Sequence, residues 1–117
     1  MLSWLRRKTD DLFGRSGAWA KVRREHLAEH PSCAACGRTG DIEVHHVRSY
    51  HQFPELELEK SNLISLCAEP CHLVHGHLMS WRRINESVRE DCAAYLAKLN
   101  SAATLPSEEP PTPADRA

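Results

Sequence analysis

No run in this sequence approaches the roughly 20 consecutive apolar residues that a membrane-spanning helix needs, so a helical membrane protein is not expected. The opening MLSWLRRKTDDLF lacks both a long apolar stretch and a small-residue cleavage site, and does not read as a secretory leader. A cytosolic (cytoplasmic), reducing compartment is the resulting expectation. Excess charge is missing too: 15 Lys and Arg stand against 16 Asp and Glu, a net of −1, so overall charge advertises no polyanionic partner. There is no internal repeat, and 117 residues leave little room for a second domain.

What charge there is lies unevenly. Residues 1–30 carry seven basic groups and four acids, residues 31–100 seven and nine, and residues 101–117 one and three. That leaves room for a locally basic amino-terminal arm. Five Cys and eight His are the unusual holdings, and all but Cys92 fall between His26 and His77. In a reducing compartment, clustered Cys with His points to metal rather than to disulfides.

The chain divides into an arm over residues 1–16, a folded domain over 17–100 and a Pro-rich tail over 101–117, expected to be disordered. Within the domain, Trp19, Val22, His26 and Leu27 recur at helical spacing, predicting a helix from Ala18 to about Glu29 that His30-Pro31 ends. Ile42–Val47 largely alternates and reads as a strand, and Asn62–Leu66 as a second. A short helix follows from about Cys71 to His77. Ser87 then reads as the N-cap of a last helix to about Leu99, with Glu90 completing a capping box and Val88, Cys92, Tyr95, Leu96 and Leu99 as its apolar stripe. Cys92 is thus an ordinary core residue.

Cys33-x2-Cys36 and Cys67-x3-Cys71 supply two close pairs of thiols. A tight turn lets each pair bite one tetrahedral ion, and four thiolates leave no coordination position open, which defines structural zinc. A domain this small buries limited apolar surface, and a metal cross-link compensates. Four unrelated buried thiols are the plainer alternative.

The order Cys-x2-Cys, a strand ending His45-His46, Asn62-Leu63-Ile64-x-Leu66-Cys67, then Cys71-His72 resembles the HNH endonucleases. The resemblance covers roughly residues 17–95 and includes Ala18-Trp19-x-Lys21-Val22-Arg23-Arg24, Pro54-Glu55-Leu56-Glu57-Leu58 and Gly76-His77-Leu78, words similar to a phage and bacterial subgroup. It implies a small α+β fold of the ββα-metal type with flanking helices, stapled by zinc on Cys33, Cys36, Cys67 and Cys71. It also implies a metal-dependent endonuclease that nicks or cuts DNA with one metal ion. In that reading His46 is the general base, Asn62 braces the loop that holds it, and His72 and His45 bind the catalytic ion. DNA is the implied partner, with weak sequence specificity, alongside phage or bacterial DNA-processing proteins, and no membrane.

The chemistry stands without the resemblance. Neighbouring strand residues point to opposite faces, so His45 and His46 serve one site only where the strand ends or distorts. Hydrolysis of a phosphodiester needs an activated water and a cation on the leaving oxygen, tasks suited to a histidine and to an ion held by imidazoles. Mg2+, Mn2+, Ni2+, Co2+ and Zn2+ all remain candidates for that ion. His75, one helical turn after His72, is a candidate third ligand, although Gly76 weakens the helix that would align it. His77 is a candidate support or phosphate contact. Arg48 is the leading phosphate contact, with Lys21, Arg23, Arg24 and Arg38 next and Arg82 and Arg83 adding to the surface. Glu55, Glu57 and Glu59 would repel DNA and belong away from the groove. His51, His26 and His30 have structural readings. The competing reading is a zinc-stapled nucleic-acid-binding or adaptor module without cleavage activity. Changing His46 to Ala separates the two, since loss of plasmid nicking with retained folding supports the enzyme.

Overall fold

The computed structural model describes residues 17–103. The expected arm over residues 1–16 and the tail from residue 104 onward lie outside them. The chain order is α1 (Trp19–Glu29), β1 (Ile42–His46), two single turns of 3-10 helix (Pro54–Leu56 and Lys60–Asn62), β2 (Leu63–Cys67), a π-helical turn (His72–Gly76) and α2 (Val88–Ala103). This is the small α+β fold expected. Among the described residues no helix is long and apolar enough to cross a membrane.

Helix α1 stops where His30 leaves helical geometry at φ −132° and ψ 72°, the consequence of Pro31 behind it. Its His26 is buried. Strands β1 and β2 pair antiparallel, with Ile42 opposite Cys67 and His46 opposite Leu63. β2 is buried along its whole length, whereas β1 alternates until its last two residues, His45 and His46, which are both buried. The loop between them is closed at its base by the Val47 N–H donating to the Asn62 carbonyl at 2.8 Å. Asn62 therefore ends a helical turn rather than opening the strand.

A two-stranded ribbon is marginal alone, and here its support is small. Among the described residues the main buried cluster consists of Cys33, Ala35, Ile64, Leu66, Cys67, Cys71, Val88 and Cys92, four cysteines in eight residues. Cys92 sits there as an apolar residue, its thiol pushed up to about 12 by burial. At the start of α2, Asn85 organises the turn: its Oδ1 accepts from the Ser87 N–H at 3.0 Å, and its Nδ2 donates to the Asp91 carboxylate at 2.7 Å and the His75 carbonyl at 2.9 Å. The expected Ser87–Glu90 box is thus replaced by an Asn85–Asp91 pair. The helix also runs through Ala103, four residues past Leu99, taking in Ser101, Ala102 and Ala103 from the stretch expected to be tail.

Candidate active site

At one end of the ribbon the two thiol pairs meet. Cys33, Cys36, Cys67 and Cys71 place their sulfurs within 4.8 Å of one another. The first pair sits in a turn whose Ala35 and Cys36 N–H groups both donate to the Cys33 sulfur at 3.4 Å. Gly37, at φ +81°, closes that turn by donating its N–H to the Cys33 carbonyl at 2.9 Å, a backbone conformation that suits glycine. Burial would raise the Cys33 thiol, but these backbone donors outweigh it and hold the thiol at about 7. Burial pushes Cys36 and Cys71 upward. Sulfurs this crowded, with one already biased to thiolate, form a donor set that fits a structural zinc ion.

At the other end of the ribbon three imidazoles converge. His45 comes from β1, His72 opens the π turn and His77 follows it, their ligand atoms all within 4.8 Å. His45 Nδ1 lies 3.1 Å from His72 Nε2, which lies 3.3 Å from His77 Nε2. The outer nitrogens have carboxylate or carbonyl acceptors: His72 Nδ1–H donates to Glu43 Oε1 at 2.7 Å, and His77 Nδ1–H to the Arg83 carbonyl at 2.7 Å. With those protons placed outside, lone pairs on both Nε2 atoms face each other across 3.3 Å, an arrangement that a cation between them relieves. The carboxylate–histidine pairing is also the usual support of an imidazole that binds metal. Burial lowers His45 to about 3, with the neighbouring His72, His77 and His46 adding to the shift; burial lowers His77 as well. Both imidazoles are therefore neutral near neutral pH, the form in which a histidine can bind a metal ion. His45 Nε2 is buried without a hydrogen-bond partner.

Gly76 makes this convergence possible. A Cβ there would stand 3.1 Å from His45 Cε1 and 3.2 Å from both His45 Nε2 and His72 Cδ2. His75 is a correction to the sequence reading. The segment winds as a π turn, so the residue that returns beside His72 is five positions on, not three, and His75 instead packs its ring on Tyr95 with 4.9 Å between centroids. The residue given a supporting role, His77, takes the place in the cluster.

His46 faces the other side of β1. Its Nε2–H donates to the Glu57 carbonyl at 2.9 Å, and its ring lies against Trp19 of α1 at 4.8 Å. With the proton on Nε2, the lone pair sits on Nδ1. Though only 7% exposed, His46 shares a cleft of about 210 Å³ with His45, His72, His77, Ser49, Tyr50, His51 and Ile84. The end of the strand brings both neighbours to one cleft, as their adjacency required. His51, given a structural reading, also lines it. A larger groove of about 820 Å³ lies between α1, β2 and α2; none of the converging imidazoles reaches it.

Asn62 braces the loop. Its Oδ1 accepts from the Arg48 N–H at 2.8 Å, and its Nδ2 donates to the carbonyls of Arg48 at 3.1 Å and Leu56 at 3.3 Å. The Arg48 guanidinium is exposed over the Phe53 ring. Lys21 lies near Glu25 at 3.8 Å and stays largely exposed, and the Arg38 guanidinium donates to the Glu69 carbonyl at 3.0 Å. Arg24 is exposed. Glu57 is buried rather than a solvated acid, and its backbone carbonyl is the partner of His46. Glu43, Trp19 and the Glu57 carbonyl were missed by the sequence reading. Only Glu43 had a signal there, standing two positions before His45 on the same strand face.

Fold and site together define a small α+β protein with four cysteines that could hold a metal ion at one end of a β-ribbon and three histidines that could hold another at the other. Residues 33–78 match the family model of the HNH endonucleases, which gives the resemblance an independent footing over the stretch holding all seven of these ligands. No curated protein and no solved structure matches the chain. The family match ties the segment to nuclease or related nucleic-acid work.

Proposed function

We propose that the protein is a DNA endonuclease that hydrolyses phosphodiester bonds at the histidine cleft with one divalent ion. The observation that carries this reading is the pairing of His46, proton-anchored on a backbone carbonyl, with three converging imidazoles across the end of one strand. His45, His72 and His77 would hold the ion, which supplies Lewis-acid neutralisation of charge on the phosphate and the leaving oxygen. Glu43 and the Arg83 carbonyl orient two of those rings. His46 Nδ1 takes the proton from the attacking water, while the Glu57 carbonyl and Trp19 hold the ring's direction. Asn62 fixes the loop that carries Arg48, a side chain placed to hold a phosphate. Cys33, Cys36, Cys67 and Cys71 would hold zinc and keep the ribbon folded.

The test is cleavage of supercoiled plasmid by zinc-loaded protein, with single divalent metals added in turn. Nicking or linearisation that depends on metal, and is lost in folded His46→Ala, is the expected outcome. Undiminished cleavage by that variant overturns the assigned base, and no cleavage with any metal favours the binding-module alternative.

A further inference from the structure

The segment from His77 to Arg83 does more than close the imidazole cluster. Leu78 and Met79 both lie in the left-handed region, at φ +50° and +72°, where bulky side chains are uncommon and persist only if their surroundings impose it. Here the surroundings do. The Met79 N–H donates to the Leu73 carbonyl at 2.9 Å, the Ser80 N–H to the His77 carbonyl at 3.0 Å, and the Arg83 guanidinium to the Leu78 carbonyl at 3.1 Å.

The result is a fixed apolar prow. Leu78, Met79 and Trp81 are 42%, 66% and 59% exposed. The Trp81 ring leans on His72 and His77, with 5.2 and 4.8 Å between centroids, so the prow is tied to the candidate metal centre. Arg82 and Arg83, both exposed, follow directly, and Glu86 is the first acid after them.

We infer that Leu78 and Met79 form a wedge that enters the minor groove of duplex DNA and opens a base step beside the scissile phosphate, with Arg82 and Arg83 on flanking phosphates. This rests on the DNA-cleavage reading above. Aliphatic tips such as Leu and Met are the side chains that unstack duplex steps, whereas single-strand grooves rely on aromatic platforms. The one aromatic ring here already packs on the histidines. A rigid tip loses little entropy on insertion, and two guanidinium groups supply the complementary charge.

The test uses zinc-loaded His46→Ala protein without a second metal, so that DNA is bound but not cut. Duplexes carry 2-aminopurine at successive positions, and anisotropy reports binding. Fluorescence is expected to rise at one step, and to stay flat when Met79→Asn is added while binding persists. Asn accepts the left-handed backbone, so the turn survives, as an unchanged melting temperature checks. Wild-type cuts should concentrate at flexible pyrimidine–purine steps and spread in Met79→Asn. Binding without a fluorescence rise, or an equal rise in the variant, overturns the wedge. If plasmid is still cut in either of those cases, the nuclease reading survives alone; absence of both binding and cutting removes both. Self-association that Met79→Asn abolishes, with no DNA unstacking, overturns it in favour of a contact between copies.

Discussion

His45 is 3% exposed and its Nε2 has no hydrogen-bond partner, a costly state for a side chain serving stability alone. Its neighbours are arranged around that ring to the ångström. Glu43→Gln would keep the hydrogen bond to His72 but lose the charge behind it; divalent-ion affinity measured by calorimetry is expected to fall about 10- to 100-fold, the usual effect of removing such a support. Gly76→Ala would force a methyl into the 3.1 Å approach to His45. Ion binding is expected to weaken in that variant while the four-thiol metal stays in place, which metal analysis checks. His26 makes a separate prediction. Burial holds its pKa below 6.5, with His30 adding repulsion, so the unfolded chain binds the proton more readily. The stability is full above about pH 6.5 and erodes as pH falls below that value. In His26→Leu, thermal unfolding should lose less stability between neutral and mildly acid pH than in the wild type. An identical slope would remove His26 from the account.

Among the elements, the π turn explains why the third imidazole was misplaced. Helical spacing in the sequence points from His72 to His75, because side chains three and four apart share a face in an α-helix. The wider π turn is not written in local periodicity; it follows from Gly76 being squeezed between two imidazoles and from Asn85 donating to the His75 carbonyl at 2.9 Å. The strand boundaries shifted by a residue for a similar reason. Asn62 has the composition of a turn residue, and its side-chain bonds to Arg48 and Leu56 keep it in the loop. Asn62→Ala is expected to cost about 1–3 kcal/mol, since it leaves buried polar groups unmatched. It should also lower the cleavage rate more than DNA affinity, because it loosens the loop beside His46. Denaturant melts and single-turnover kinetics read the two effects separately.

For the whole molecule, the thiol and imidazole clusters stand at opposite ends of one short ribbon and have opposite characters. Three of the four clustered thiols, Cys33, Cys67 and Cys71, belong to the main buried cluster of the described residues, so Cys67→Ser is expected to leave the chain unfolded or aggregated at 25 °C, as circular dichroism would show. The histidine cluster lines an open cleft. Brief chelation should therefore strip one ion and abolish cleavage while zinc and the fold remain, and metal analysis before and after would count them. Release of both ions together would contradict the division. The sequence by itself determined the paired thiols, the two strands, the flanking helices and the presence of His45, His46, Asn62 and His72, because ligand spacing and apolar periodicity are local properties of a chain. Only the tertiary structure decided that His77 rather than His75 completes the cluster, that Glu57 serves through its carbonyl, that Trp19 backs His46 and that Leu78 and Met79 are held outward. Each of those depends on which distant backbone groups come within hydrogen-bonding or van der Waals reach, and no local pattern of residues encodes that.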